Sequence, residues 1–353
     1  MPTRLYSDVQ MLDHQPGDGH PERPARLAAL LHGLRERPVP GTTWHTAREA
    51  TEIELGRAHG PGHLRLLRAA EGQTVSLDPD THTSPDTVQV ARMAAGATIQ
   101  AAESALAGVP AFALVRPPGH HAERDRVMGF CLINNVVAAA EAALATGAVE
   151  RVLILDWDLH HGNGTQRHFE GREDVLFFST HRFPFYPGTG ALHERGHGAG
   201  EGTTINVPLP AGVGDGDLRL ALDAVLRPAA ERFKPQLVLV SAGFDAYHDD
   251  PLGDMRVSVE GFASMCDAAL DIARTHAQGR IALTLEGGYN LTGLTDGVRA
   301  CLEVLEGATP PTVATPGKGE RAVMEAIRAH TPAAPELSPA PTTPRPRRGP
   351  APW

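Results

Sequence analysis

The sequence predicts an α/β protein built on a central parallel sheet flanked by helices. Three observations lead there. Five apolar runs are continuous rather than alternating, as in strands buried on both faces. Ala-rich segments with helical spacing lie between them, and strand–helix alternation with right-handed crossovers gives a parallel sheet. Four of the runs empty into Asp, His, Gly and Tyr, and in such sheets ligands gather beyond the carboxyl ends of the strands.

In chain order the predicted strands are 111–115 (AFALV), 152–155 (VLIL), 175–178 (VLFF), 237–240 (LVLV) and 281–285 (IALTL). The predicted helices are 88–106, 135–146, 218–233 and 259–276. Composition shifts near Gly307, so one domain is assigned to 1–307. The Pro/Ala-rich stretch 308–353 is read as a disordered tail apart from a short helix at 320–330, because it offers too little apolar surface to offset ordering.

A hydrophobic content of 41% over 353 residues supports a sizeable core. The net charge of −10 supplies no global basic field, so direct nucleic-acid binding is not expected. No apolar run is long enough to span a membrane, and the opening MPTRLYSDVQ lacks a signal peptide's apolar core. Cys131, Cys266 and Cys301 are too widely spaced for a disulfide framework or a Cys-ligated zinc site. Together these features point to the cytoplasm. Homo-oligomerisation is left open.

The polar strand ends carry the chemistry. If the strand before DWDLHHGNGT extends through Asp158, then Asp156 and Asp158 project to the same side and His160 follows at the same parity. Two carboxylates and an imidazole suit a hard-to-borderline dication, and Asp245 in SAGFDA is the candidate for a further anionic ligand. Any one of these Asp residues could instead cap a turn or helix; their joint position at strand ends is what points to a metal. In RPPGHHA, His120 and His121 can enter one cleft as acid and base for hydrolysis. In EGGYN, Tyr289 can offer its hydroxyl to a carbonyl oxygen as negative charge develops.

These segments, with HPERPARL, GFCLINN, YPGTG and DPLG, run in order and resemble the zinc-dependent histone deacetylase family, on the side of its class II-like bacterial amidohydrolases. The resemblance spans roughly residues 5 to 305. It implies the arginase/deacetylase fold, with a parallel sheet of about eight strands. It also implies a deacetylase catalytic domain that hydrolyses acyl groups from lysine side chains of proteins or peptides, with acetylpolyamines or small acetylated metabolites as the alternative. By position, Asp158, His160 and Asp245 would hold one Zn2+. His121 would be general base and then acid, with Asn163 as its partner; His120, oriented by Asp156, would steady the charge beside it. Tyr289 would polarise the scissile carbonyl. Gly129, Phe130 and Tyr186 would wall a narrow acyl-lysine channel, and Asp80, with Asp78 as competitor, would grip substrate at the rim. A structural K+ would sit near Asp156, Ser179 and Thr180. Polyamine-selective relatives carry Glu where DPLG has Leu252, which favours acyl-lysine, although Asp249, Asp250 or Asp254 could replace that charge.

Overall fold

A computed structural model describes residues 2–330. Its centre is an all-parallel sheet of eight strands: β1 (Arg4–Ser7), β2 (Thr43–Thr46), β5 (Ala111–Ala113), β6 (Val152–Asp156), β7 (Val175–Arg182), β8 (Thr204–Leu209), β9 (Leu237–Ala242) and β10 (Ile281–Leu285). A two-stranded ribbon, β3 (Ser76–Asp78) and β4 (Thr81–His82), lies apart from it. The spatial order is β2-β1-β5-β10-β9-β6-β7-β8, with helices on both faces.

The five continuous apolar runs all form strands of this sheet, and their side chains are buried on both sides. Apolar periodicity does not reveal β1 (RLYS), β2 (TWHT) and β8 (TINVPL). They stand towards or at the sheet's margins, where polar residues are tolerated and no continuous apolar run is needed.

Three of the four predicted helices follow the expected spans closely, as Thr87–Leu106, Asn135–Ala145 and Val259–His276. The fourth is broken: Asp215–Ala221 passes through a π-turn, Leu222–Leu226, into Arg227–Phe233. Pro228 follows directly, and a proline near a helix start lacks only an N–H that has no partner there.

The stretch after Gly307 differs from its expectation as far as it is described. Residues 309–316 run along Asp215–Ala221, and Asp217 accepts hydrogen bonds from the amides of Gly317 and Gly319 at 2.6 and 3.1 Å. Helix Glu320–His330 forms where expected, but it is docked: Val323 and Ala326 are fully buried, and His330 Nε2 lies 3.2 Å from the Asn206 carbonyl of β8. Val323 and Ala326, with the partly buried Ala322 and Ile327, give the helix an apolar face that packs against the domain. The rest of the expected tail, 331–353, lies outside the described residues.

Candidate active site

Four strands adjacent at the middle of the sheet, β5, β10, β9 and β6, release their carboxyl ends into one pocket. From them come RPPGHH, EGGYN, SAGFDA and DWDLHH. β6 stops at Asp156, two residues short of Asp158, so the shared-parity argument for these two carboxylates does not hold. A turn does the work instead: the Asp158 amide donates to Asp156 Oδ1 at 3.1 Å, and His160 N donates to Asp158 Oδ1 at 2.9 Å.

Asp158, His160 and Asp245 offer ligand atoms that all lie within 4.8 Å of one another. His160 Nδ1 stands 3.2 Å from Asp158 Oδ1 and 3.0 Å from Asp245 Oδ2. The remaining carboxylate oxygens are held by backbone, Asp158 Oδ2 by Gly287 N and Asp245 Oδ1 by Leu159 N, both at 2.8 Å. Gly287 is required here, since a Cβ would sit 2.4 Å from Asp245 Oδ2. Burial opposes charge on His160, yet the two carboxylates hold its pKa up at about 10; burial and Asp158 raise Asp245 to about 7. A centre that draws positive charge so strongly, with O, N and O donors preset, fits a dication.

The tandem histidines are held in opposite states. His120 Nδ1 pairs with Asp156 Oδ2 at 2.9 Å; burial works against the charge, but Asp156 and then Asp158 raise its pKa to about 10. Burial, followed by the charges of His120 and His160, pushes His121 well below its ordinary value. His121 Nδ1 lies 2.8 Å from Asn163 Oδ1. An amide oxygen only accepts, so Nδ1 carries the proton and Nε2 is left as the basic nitrogen.

The pocket is a cavity of about 90 Å³. Tyr186 stands perpendicular to His121, with ring centroids 5.2 Å apart, and Phe130 meets Tyr289 edge-on at 6.1 Å. Gly129 has φ +58°, and a Cβ there would lie 2.4 Å from the His121 ring. Phe130 is itself left-handed at φ 67°, and its amide donates to Thr81 Oγ1 at 3.0 Å; such non-glycine conformations cluster at functional sites. Asp80 and Leu252 line the pocket, whereas Asp78 does not and stands 3.9 Å from Arg126. Ser179 pairs in register with Asp156, its hydroxyl 2.9 Å from His181 Nδ1. Thr180 Oγ1 is buried without a hydrogen-bond partner, and as the next residue on the strand it faces the other way, so it can join Ser179 only through its backbone.

Sequence reasoning missed the groups that hold these residues in place. Asp250 does not face the pocket as a cation gate. It is buried, and Oδ2 accepts from the amides of Tyr289 and Asn290 at 2.7 and 2.9 Å. Asp249 and Asp254 are paired with His248 and Arg182. Glu286, fully buried and pushed by burial to about 7, accepts from the amides of Gly119 and His120 and from Ser241 Oγ, tying β5 and β9 to β10. In HPERPARL, Arg26 donates to the carbonyls of Glu286 and Gly288, both at 2.6 Å, and stacks over Tyr289 at 4.8 Å. Glu22 neutralises both Arg26 and Arg116. The signal was a carboxylate directly after a strand that is apolar but for Thr284, and two arginines among residues that pack.

Comparison with known proteins agrees along most of the chain. The profile of the histone deacetylase domain matches residues 20–305. A probable deacetylase of Archaeoglobus fulgidus is 38% identical over 298 residues, covering 83% of each chain. Histone deacetylase 15 of Arabidopsis thaliana is 40% identical, with 92% of this chain and 61% of that protein covered. The human polyamine deacetylase HDAC10 is 39% identical, over 87% of this chain and 48% of its own length. The crystal structure of the HDA15 HD domain superposes with a TM-score of 0.87 at 39% identity, covering 93% of this chain and 94% of that one. With the sheet, the pocket and the motif order all in agreement, the chain belongs to the histone deacetylase family.

Proposed function

We propose that this chain is a zinc-dependent amidohydrolase that removes acyl groups, chiefly acetyl, from lysine side chains of proteins or peptides. The opposed states of His120 and His121 beside the Asp158–His160–Asp245 cluster carry this reading, because hydrolysis of an amide needs a neutral base next to a centre that stabilises negative charge. Zinc held by that cluster supplies Lewis acidity and lowers the pKa of a water. His121 Nε2 receives the proton of the attacking water and returns it to the departing amine. Asn163 keeps the His121 ring aimed, and charged His120, held by Asp156, steadies the negative charge that builds beside it. Tyr289 donates its hydroxyl to the developing oxyanion; burial raises its pKa, so the proton stays on the phenol. Gly129, Phe130 and Tyr186 sheathe the alkyl stem, and Asp80 receives substrate amides at the rim. K+ near Asp156 and Ser179, with the Thr180 carbonyl, is part of the same reading. The three free, buried cysteines accord with a reducing cytoplasm.

The similarity to a relative named polyamine deacetylase favours a second reading, acetylpolyamine hydrolysis. Leu252, lining the pocket, offers no charge to a distal ammonium, and Asp250 faces away from it, so acyl-lysine is preferred. The test compares kcat/KM for an acetyl-lysine peptide with N-acetylputrescine and acetylspermidine. The peptide is expected to be the better substrate; a tenfold preference for the polyamines, about 1.4 kcal/mol in transition-state binding, overturns the assignment.

A further inference from the structure

We infer that Glu123 is a positioning residue that sets the tautomer of His121 through Asn163. The inference rests on the reading of His121 as the base. An Asn side chain can be turned either way, and the two orientations have opposite consequences. With its oxygen towards His121, Nδ1 must carry the proton and Nε2 is basic; with its nitrogen there, Nδ1 must accept and Nε2 is protonated, useless as a base.

The surroundings of the amide nitrogen decide. Asn163 Nδ2 has three acceptors on its side: Glu123 Oε1 at 2.9 Å, Met128 Sδ at 3.3 Å and the His121 carbonyl at 3.4 Å. Only Glu123 brings a charge, and its contact is the shortest. Turning the amide would set an oxygen against that carboxylate, so the carboxylate selects the catalytically useful orientation. Its backbone is anchored too, because Glu123 exchanges backbone hydrogen bonds with Arg126 and its carbonyl lies 3.1 Å from His59 Nδ1. A carboxylate thus stands one residue behind His121, acting through a neutral amide rather than touching the ring.

This arrangement predicts a reversal of sign. Asn163→Asp places a second carboxylate against Glu123, so the single substitution is expected to lose activity. Asn163→Asp with Glu123→Gln removes the repulsion and is expected to recover much of it. Glu123→Gln alone offers an amide that can itself be turned either way and so selects the Asn163 orientation less firmly; its kcat is expected to fall between the parent and Glu123→Ala. Glu123→Ala should lower kcat roughly tenfold with little change in KM, the size expected for removal of an outer hydrogen-bond partner. Nitrogen-15 NMR of the zinc-loaded protein, with His121 assigned by its absence in His121→Ala, should show the Nδ1–H form in the parent and a shift towards the Nε2–H form in Glu123→Ala. An unchanged His121 spectrum in Glu123→Ala, or a double variant no more active than Asn163→Asp, overturns the inference. If no variant or parent hydrolyses an acyl-lysine, the functional reading fails while the NMR result still judges Glu123.

Discussion

His120 and His121 are neighbours in the chain, with ring centroids 4.0 Å apart, and the charges and hydrogen-bond partners around each ring set them apart. One faces a carboxylate and the other an amide oxygen, which is the basis for proposing His120 as the charged and His121 as the basic member of the pair. His121→Ala is therefore expected to reduce kcat by roughly 10²-fold or more, measured on an acetyl-lysine peptide. Tyr289→Phe removes one oxyanion donor and is expected to cost roughly 10²- to 10³-fold. Both should retain their metal by elemental analysis, because neither side chain belongs to the Asp158–His160–Asp245 cluster. Asp245→Ala should do the opposite and bind zinc far more weakly; full occupancy in that variant contradicts the ligand assignment. The residues that meet the pocket were legible because chemistry needs particular side chains in an unusual setting. Asp250, Glu286 and Arg26 were less legible, since they act on backbone atoms that come near only once the loops have folded. Asp250 shows the difference best: its sequence neighbourhood suggested an outward charge, and three backbone amides turn it inward.

At the scale of elements, what identifies a strand is burial on both faces. β6, β9 and β10 announce themselves as VLIL, LVLV and IALTL, whereas β1 and β2 carry polar residues and appear only through their pairing. Helix Glu320–His330 was legible as a helix but not as a packed one. Its surroundings are mostly Pro, Thr and Ala, and the anchoring contacts are Val323 and Ala326 together with the Asp217 carboxylate. Val323→Asp places an unpaired carboxylate in that contact and should lower stability by about 2 to 4 kcal/mol in a denaturant titration. The pocket lies beyond the middle of the sheet, so kcat below the transition should change little. Unaltered stability would mean that the helix is dispensable to the domain.

For the molecule as a whole, buried neutral histidines weaken the fold in acid, while Glu286, raised to about 7, takes up a proton in the folded state and works the other way. His59 N-atoms meet the Glu123 carbonyl and the Asn134 amide, a pairing that demands the neutral ring, and burial lowers its pKa to about 3. Burial likewise lowers His181 to about 4. In the unfolded chain both titrate near 6.5. Below that value the unfolded state binds protons that the folded state refuses, so stability is complete above pH 6.5 and declines as pH falls towards 4. At pH 5 each contributes a loss of about 2 kcal/mol. His59→Gln removes one of these losses, so its melting temperature should fall less between pH 7 and pH 5 than that of the parent. The helix docked beside β8 has a consequence of another kind. Unpaired strand edges invite pairing between molecules, and a sheet has two. Among the described residues one margin, β8, meets helix Glu320–His330 through His330 at the Asn206 carbonyl, while the residues of β2 are mostly exposed. A copy that paired through β2 would present only its own covered side to the next, so association would stop at a symmetric couple. Uncovering β8 would supply the second margin and permit open-ended, head-to-tail fibres.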